Sequence, residues 1–244
     1  MFRHQGKSRT YSHNVQIATI LSFVAGIVNI AGFLAFRQLT TNVTGHFALF
    51  INDLSLMELL KGIVYLLYIL SFLAGSFLSG FLIEKFRENK RLNVFVLPTL
   101  IESMILLTVG FTSNFFYWPF PDLIVCLLLF AMGLQNSFVT KISNAVVRTT
   151  HLTGLFTDLG IDISQLLFHK SPSDRLQLKA NIKLRLYIIS FFFAGGLAGG
   201  YLYSYHGLQL NILILAAFIL LFSLFYDDFK FRFIKAKRKR HRRR

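Results

Sequence analysis

The chain has 244 residues, of which 54% are hydrophobic and only 15% charged, with a mean hydropathy of +0.56. A soluble domain carries about 25% charged residues, and a single domain of this length could not hide so much apolar side chain from water. A soluble enzyme, a disordered chain, a coiled coil and a disulfide scaffold (Cys126 is the one cysteine) are therefore excluded, which leaves an integral membrane protein.

In chain order, residues 1–14 form a basic arm carrying Arg3, Lys7 and Arg9. The first apolar block, Val15–Phe36, is long for a signal-peptide core and lacks a small-x-small cleavage site, so it reads as a retained span. A Thr-Gly corner follows, with Thr40, Thr41, Thr44 and Gly45, then a semi-polar helix over Phe47–Leu60. Further spans are predicted at Gly62–Ile83 and Asn93–Thr112. Ser113–Pro121 reads SNFFYWPFP, an aromatic set suited to a membrane–water interface. The fourth span, Leu123–Ser143, leads to a second Thr-Gly corner with Thr149, Thr150, Thr153 and Gly154, then a second semi-polar helix over Leu155–His169. After a polar insertion at Lys170–Arg175 come spans at Arg185–Tyr205 and Leu208–Tyr226, and the tail 227–244 ends in KAKRKRHRRR.

The net charge of +15 would raise nucleic acid as a partner in a soluble protein. Here its distribution describes a membrane topology instead. Of the 26 Lys and Arg residues, 24 fall in the N-terminal arm, the Glu84–Leu92 loop, the Lys141–Arg185 stretch and the tail. Only Arg37 and Lys61 fall in the intervening connections. Positive residues concentrate on the cytoplasmic side, so the alternation predicts six spans with both termini cytoplasmic. The tail reads as a topology anchor against anionic lipid.

Three anchors recur in the same order. Gly26-Ile27-Val28-Asn29 returns as Gly133-Leu134-Gln135-Asn136, TTNVTG at Thr40–Gly45 returns as TTHLTG at Thr149–Gly154, and FLAGSFLSGF at Phe72–Phe81 returns as FFAGGLAGGY at Phe192–Tyr201. The offsets are 107, 109 and 120 residues, the last jump absorbed by the polar insertion. Collinear matches predict a duplication, with repeat one at 15–112 and repeat two at 122–226. Three spans per copy is an odd number, so the copies would enter the bilayer from opposite faces, a building plan common among secondary transporters.

Polar residues mark where chemistry enters the apolar blocks. Asn29 and Asn136 sit mid-span, with Gln135 beside the second. They serve either as hydrogen-bonding glue between helices or as a central binding pair. The two Thr-Gly corners read either as structural turns or as helix breaks lining a cavity, where a restarting helix would turn free N–H groups toward an anion. Asp158, Asp162, Gln165 and His169 form one helical stripe, Asp53 aligns with Asp162 at the 109 offset, and His46 shares the face of Asp53. Such a stripe is either an interfacial face or a set of ion-coupling carboxylates. Glu102, surrounded by apolar residues, is a coupling candidate in its own right. No recurrent metal, nucleotide or nucleophile motif is present, so no metal, cofactor or catalytic residue is assigned and the chain is read as a non-enzyme.

The GIVN and GLQN turns, the TTNVTGHF segment and above all Val147–Gly160, VRTTHLTGLFTDLG, resemble the YoaK-like family of bacterial membrane proteins, a domain of unknown function, over roughly residues 15–226. The resemblance implies about six spans in a bacterial cytoplasmic membrane and carries no established activity or catalytic residue. His46 and the basic tail depart from the family pattern. Taken together, the sequence predicts an all-α membrane protein of two inverted three-helix repeats. Its first functional reading is a permease for a small, anionic solute, bound by Asn29, Asn136, Gln135 and the two corners. Asp53, Glu102, Asp158 and Asp162 are the coupling candidates. The second reading is a non-transporting protein that binds lipid or a protein partner through its basic cytoplasmic face.

Overall fold

The computed structural model describes residues 9–87, 94–113, 120–168 and 171–225. The tail, the N-terminal arm before Arg9, most of the SNFFYWPFP segment and the ends of several connections lie outside the described residues. Those described form eight helices and no strand. They are α1 (Tyr11–Phe36), α2 (Val43–Ser55), α3 (Leu59–Lys85), α4 (Val96–Thr112), α5 (Pro121–Ser143), α6 (Leu152–Phe168), α7 (Pro172–Ser204) and α8 (Gln209–Phe225), the last opening on a 3₁₀ turn at Gln209–Asn211. Helices α1, α3, α5 and α7 are long and apolar enough to cross a membrane, whereas α4 and α8 are shorter apolar helices. The outer surface is itself apolar, with Phe77 70%, Phe193 65% and Phe222 70% exposed. A contiguous apolar exterior of this kind is a surface for lipid, not water, and the chain is an integral membrane protein.

Helix boundaries follow local chemistry. Thr10 caps α1 in a reciprocal box with His13. α1 and α5 both stop at a residue in the left-handed conformation, Arg37 (φ 57°) and Asn144 (φ 52°). The predicted helix over Phe47–Leu60 instead ends at Ser55, because Met57 turns left-handed (φ 60°) and α3 starts two residues later. SPSDR, read above as an insertion, opens α7: Pro172 stands at the first helical position and Asp174 lies in the first turn. α7 therefore begins well before Arg185.

α1 and α5 form the centre, with most of their apolar 18-residue stretches buried, and α3 and α7 flank them. The tightest packing pairs α1 with α7 and α3 with α5; α2 packs on α3 and α6 on α7. Glycine makes both principal crossings possible. A Cβ added at Gly26 would lie 2.2 Å from the Phe192 carbonyl oxygen, and one at Gly195 would lie 2.0 Å from that of Phe23. At the other crossing, Gly133 stands 2.2 Å by the same construction from the Phe72 oxygen, and Gly75 stands 2.0 Å from that of Phe130. Ser76 then donates across the α3–α5 crossing to the Gly133 carbonyl at 3.1 Å. Small residues allow this approach, and packing with interhelical hydrogen bonds replaces the hydrophobic drive that lipid removes.

The obstructing atoms are backbone, which cannot swing aside. Gly133→Ala should therefore destabilise the detergent-solubilised protein by about 1–3 kcal/mol despite alanine's better helix propensity. Gly160→Ala is the control, since an added methyl there meets nothing within 4 Å. The thermal unfolding midpoint should fall for the first and hold or rise for the second.

Candidate functional site

The site is built from two chain reversals. After α1 ends, residues 37–42 turn back along it. Thr40 Oγ1 donates to the Val28 carbonyl at 3.0 Å, and Thr41 Oγ1 donates to Asn29 Oδ1 at 2.9 Å. Asn29 lies seven residues before the helix end, so the chain re-enters by about 10 Å at 1.5 Å per residue. The second corner does the same on α5. Thr150 Oγ1 donates to Asn136 Oδ1 at 2.8 Å, and Thr149 Oγ1 accepts from Gln135 Nε2 at 3.0 Å. Irregular backbone at such depth needs side-chain partners or a cavity to line, and these hydroxyls and amides supply the partners.

The helices restart earlier than the Thr-Gly spacing predicts. α2 begins at Val43 and α6 at Leu152, so Gly45 and Gly154 stand inside the first turns instead of before them. The reason at α2 is a cap: Asn42 Oδ1 accepts from Gly45 N–H at 3.1 Å. At α6, His151 takes the corresponding place, with its carbonyl accepting from Leu155 N–H at 3.0 Å. A Cβ on Gly154 would lie 2.7 Å from the His151 ring, so glycine makes room for the imidazole over the helix end.

Both restarted helices point their N-terminal residues into one cavity of about 760 Å³. Asn42, Val43 and Thr44 line it from α2, and His151, Leu152 and Thr153 from α6. Asn29, Thr41, Asn136 and Thr150 form its hydrogen-bonded wall; Leu39, Phe72, Phe192, Thr140 and Arg148 complete it. Among the described residues, no carboxylate lines this cavity. Each asparagine already accepts a threonine hydroxyl at its carbonyl oxygen. Asn136 directs its amide N–H to the Met132 carbonyl at 3.0 Å. The hydroxyls of Thr41 and Thr150, the Asn136 amide and the Gly45 N–H are thus already engaged, and the positive features of the lining are the Arg148 guanidinium and the starts of α2 and α6.

Of the residues proposed from sequence for binding, Asn29, Thr41, Thr44, Asn136, Thr150 and Thr153 line the cavity. Thr40, Thr149 and Gln135 stand behind the wall, fully buried, where Gln135 also donates to the Leu21 carbonyl at 3.1 Å. Gly45 and Gly154 serve the helix starts. The coupling candidates lie elsewhere. Asp158 and Asp162 both pair with Arg185 across the α6–α7 contact, the first at 3.5 Å. Asp53 is buried beside α3 and accepts from Asn52 at 3.2 Å. Glu102 is fully buried in α4, with no hydrogen bond to either carboxylate oxygen among the described residues. His46 is buried too, bonded through Nε2 to the Leu39 carbonyl and packed against Tyr65 and Tyr68. The sequence reading missed Arg148 and the two phenylalanines. Arg148 enters the sequence reading as a topology charge and as part of the VRTTHLTG motif, but not as a site residue. Phe72 and Phe192 are the first residues of the two recurring FxAG blocks.

Removing the hydroxyl from Thr150 would leave Asn136 Oδ1 without its donor. Thr150→Val should lower unfolding stability by about 1–3 kcal/mol, whereas Thr150→Ser keeps the donor and should stay near the parent. Thermal melts of the two variants in the same detergent check this.

Comparison with known proteins gives a family and a relative. The family described as "Protein of unknown function (DUF1275)" matches residues 17–226. The "UPF0700 transmembrane protein YoaK" of Bacillus subtilis (strain 168) is 25% identical over 157 residues, covering 63% of this chain and 69% of the relative. No solved structure matches. The family match spans both corners, both asparagines and the whole cavity wall, and the chain is thereby a member of this transmembrane family, DUF1275, whose function is unknown.

Proposed function

We propose that this protein is a permease for a small anionic solute, working by alternating access between two inverted three-helix repeats, and that it catalyses no reaction. The observation that carries the reading is the cavity: two chain reversals converge on one pocket whose described lining holds an arginine, two helix N-termini and no carboxylate. Helix N-termini and guanidinium groups favour negative charge. Such a chamber between broken helices is the form that substrate sites take in many secondary transporters.

The repeat reading draws support from contacts that recur with the sequence offsets. Gly26 meets Phe192 as Gly133 meets Phe72, and Thr41 binds Asn29 as Thr150 binds Asn136. Each first helix of one half packs on the second helix of the other half, so rocking of one pair against the other would move the two corners in opposite senses. In this reading α4 and α8 complete six crossings. At 17 residues each they reach about 25 Å, short of a hydrocarbon core of about 30 Å, a mismatch that local thinning accommodates. The charge alternation then sets both termini in the cytoplasm of a bacterial inner membrane. Among the coupling candidates, Arg185 engages Asp158 and Asp162, and Glu102 is the carboxylate left without a partner; it is the first to test for ion coupling.

Uptake of labelled small anions into proteoliposomes tests the reading. Asn136→Leu removes both the polar wall and the acceptor of Thr150. It should cut uptake at least tenfold while the protein stays monodisperse and helical, and unchanged uptake would remove Asn136 from the site. Truncation before Lys235 should leave uptake intact. Its abolition would favour instead a protein working through its basic tail.

A further inference from the structure

The two corners are alike in hydrogen bonding but not in charge. Thr40 and Thr41 correspond to Thr149 and Thr150 at an offset of 109 residues, and at that offset Leu39 corresponds to Arg148. Both residues line the cavity. One side of the chamber therefore presents a guanidinium, with Thr150, Thr153 and His151 beside it. The corner after α1 presents Leu39 and Val43 with Thr41, Asn42 and Thr44; of the two rings in the lining, Phe72 belongs to the helix crossing α5 at Gly133 and Phe192 to the helix crossing α1 at Gly26. Arg148 takes part in none of the ion pairs among the described residues, whose cations are Lys61, Arg87, Lys141 and Arg185. It makes no hydrogen bond there either. Arg148 is exposed, so its guanidinium stands at an open side of the cavity, where it needs no internal counter-charge and can meet an incoming anion.

Building on the anion reading above, we infer that the cavity takes a small organic monoanion, its charged head on Arg148 and its apolar body against Leu39, Val43, Phe72 and Phe192. One guanidinium matches one carboxylate, which it grips through two parallel N–H donors. A second carboxylate would meet Leu39 and lose its hydration without compensation. An inorganic anion would use the donors but leave the apolar wall unfilled, and a volume of about 760 Å³ lies in the range of organic-ligand pockets, about 300–1,000 Å³. Leu39 is thus a specificity residue, and its replacement by a cation would admit a dianion.

The test is calorimetric titration of the purified full chain in lipid nanodiscs with sodium butyrate, butyramide, n-butylammonium chloride, sodium chloride, sodium nitrate and sodium glutarate. Butyrate should bind at least tenfold more tightly than the other five. Arg148→Gln should weaken butyrate at least tenfold, and Arg148→Lys should weaken it less, because it keeps the charge and loses the fork. Leu39→Arg should raise glutarate affinity at least tenfold. Should that variant fail to fold, the two Arg148 variants decide alone. Chloride or nitrate binding as tightly as butyrate, or butyrate binding that ignores Arg148→Gln, overturns the organic-monoanion assignment while leaving an anion site. Preferential binding of butyramide or n-butylammonium overturns the charge class itself. Silence across the whole panel removes the solute site on which both readings stand.

Discussion

Irregular backbone needs hydrogen-bond partners wherever water is excluded, and the fold is organised around the two places where the chain leaves a helix and turns back along it. At each, a threonine hydroxyl donates to the side chain of an asparagine one helix away in sequence, at 2.9 Å for Thr41 and 2.8 Å for Thr150. These bonds hold irregular chain against α1 and α5. Without them the asparagine side chains would lose their partners, which costs about 1–3 kcal/mol for each buried polar group left unsatisfied. The cavity, the inward helix ends and the position of Arg148 all follow from that re-entry.

The second constraint is steric. The apolar stretches of α1 and α5 are the most buried among the long helices because each is crossed closely by a partner helix, α7 and α3. At both crossings glycine faces backbone carbonyl, so the helices touch main chain to main chain. This brings Phe72 and Phe192 beside the asparagines and makes them part of the cavity wall. Interfaces of small residues carry little specific side-chain locking. They suit surfaces that must hold together and still move relative to one another.

The acidic residues divide by element. Those of α6 are held by Arg185 of α7, which ties a short helix to a long one. Asp53 in α2 is buried beside α3 without such a clamp. Tyr65, at the offset of 120 residues from Arg185, stands in that half instead and stacks with His46. The two halves thus use different chemistry for the same junction, an ion pair in one and an aromatic cluster with histidine in the other. Glu102 belongs to neither junction.

Membrane class, the positions of the apolar helices and the recurrence of the Gly-Asn and Thr-Gly anchors were legible from residues alone, because hydropathy blocks, charge alternation and self-similarity are properties of the linear chain. Asn29, Asn136 and the threonines could be singled out, since amides and hydroxyls in apolar surroundings need partners wherever the chain goes. What they bond to could not be read, because Thr41 and Asn29 meet only when the chain reverses, and a reversal and an exit look alike in sequence. Helix starts were misplaced for the same kind of reason: a cap such as Asn42 acts through the geometry of its side chain, and Pro172 resembles a breaker until its place at the head of α7 is known. That Arg148 and Leu39, from corners far apart in the chain, line the same cavity was decided by tertiary structure. Positive charge near a membrane surface serves topology or binding equally well, and only the packing of two distant corners against each other separates the two.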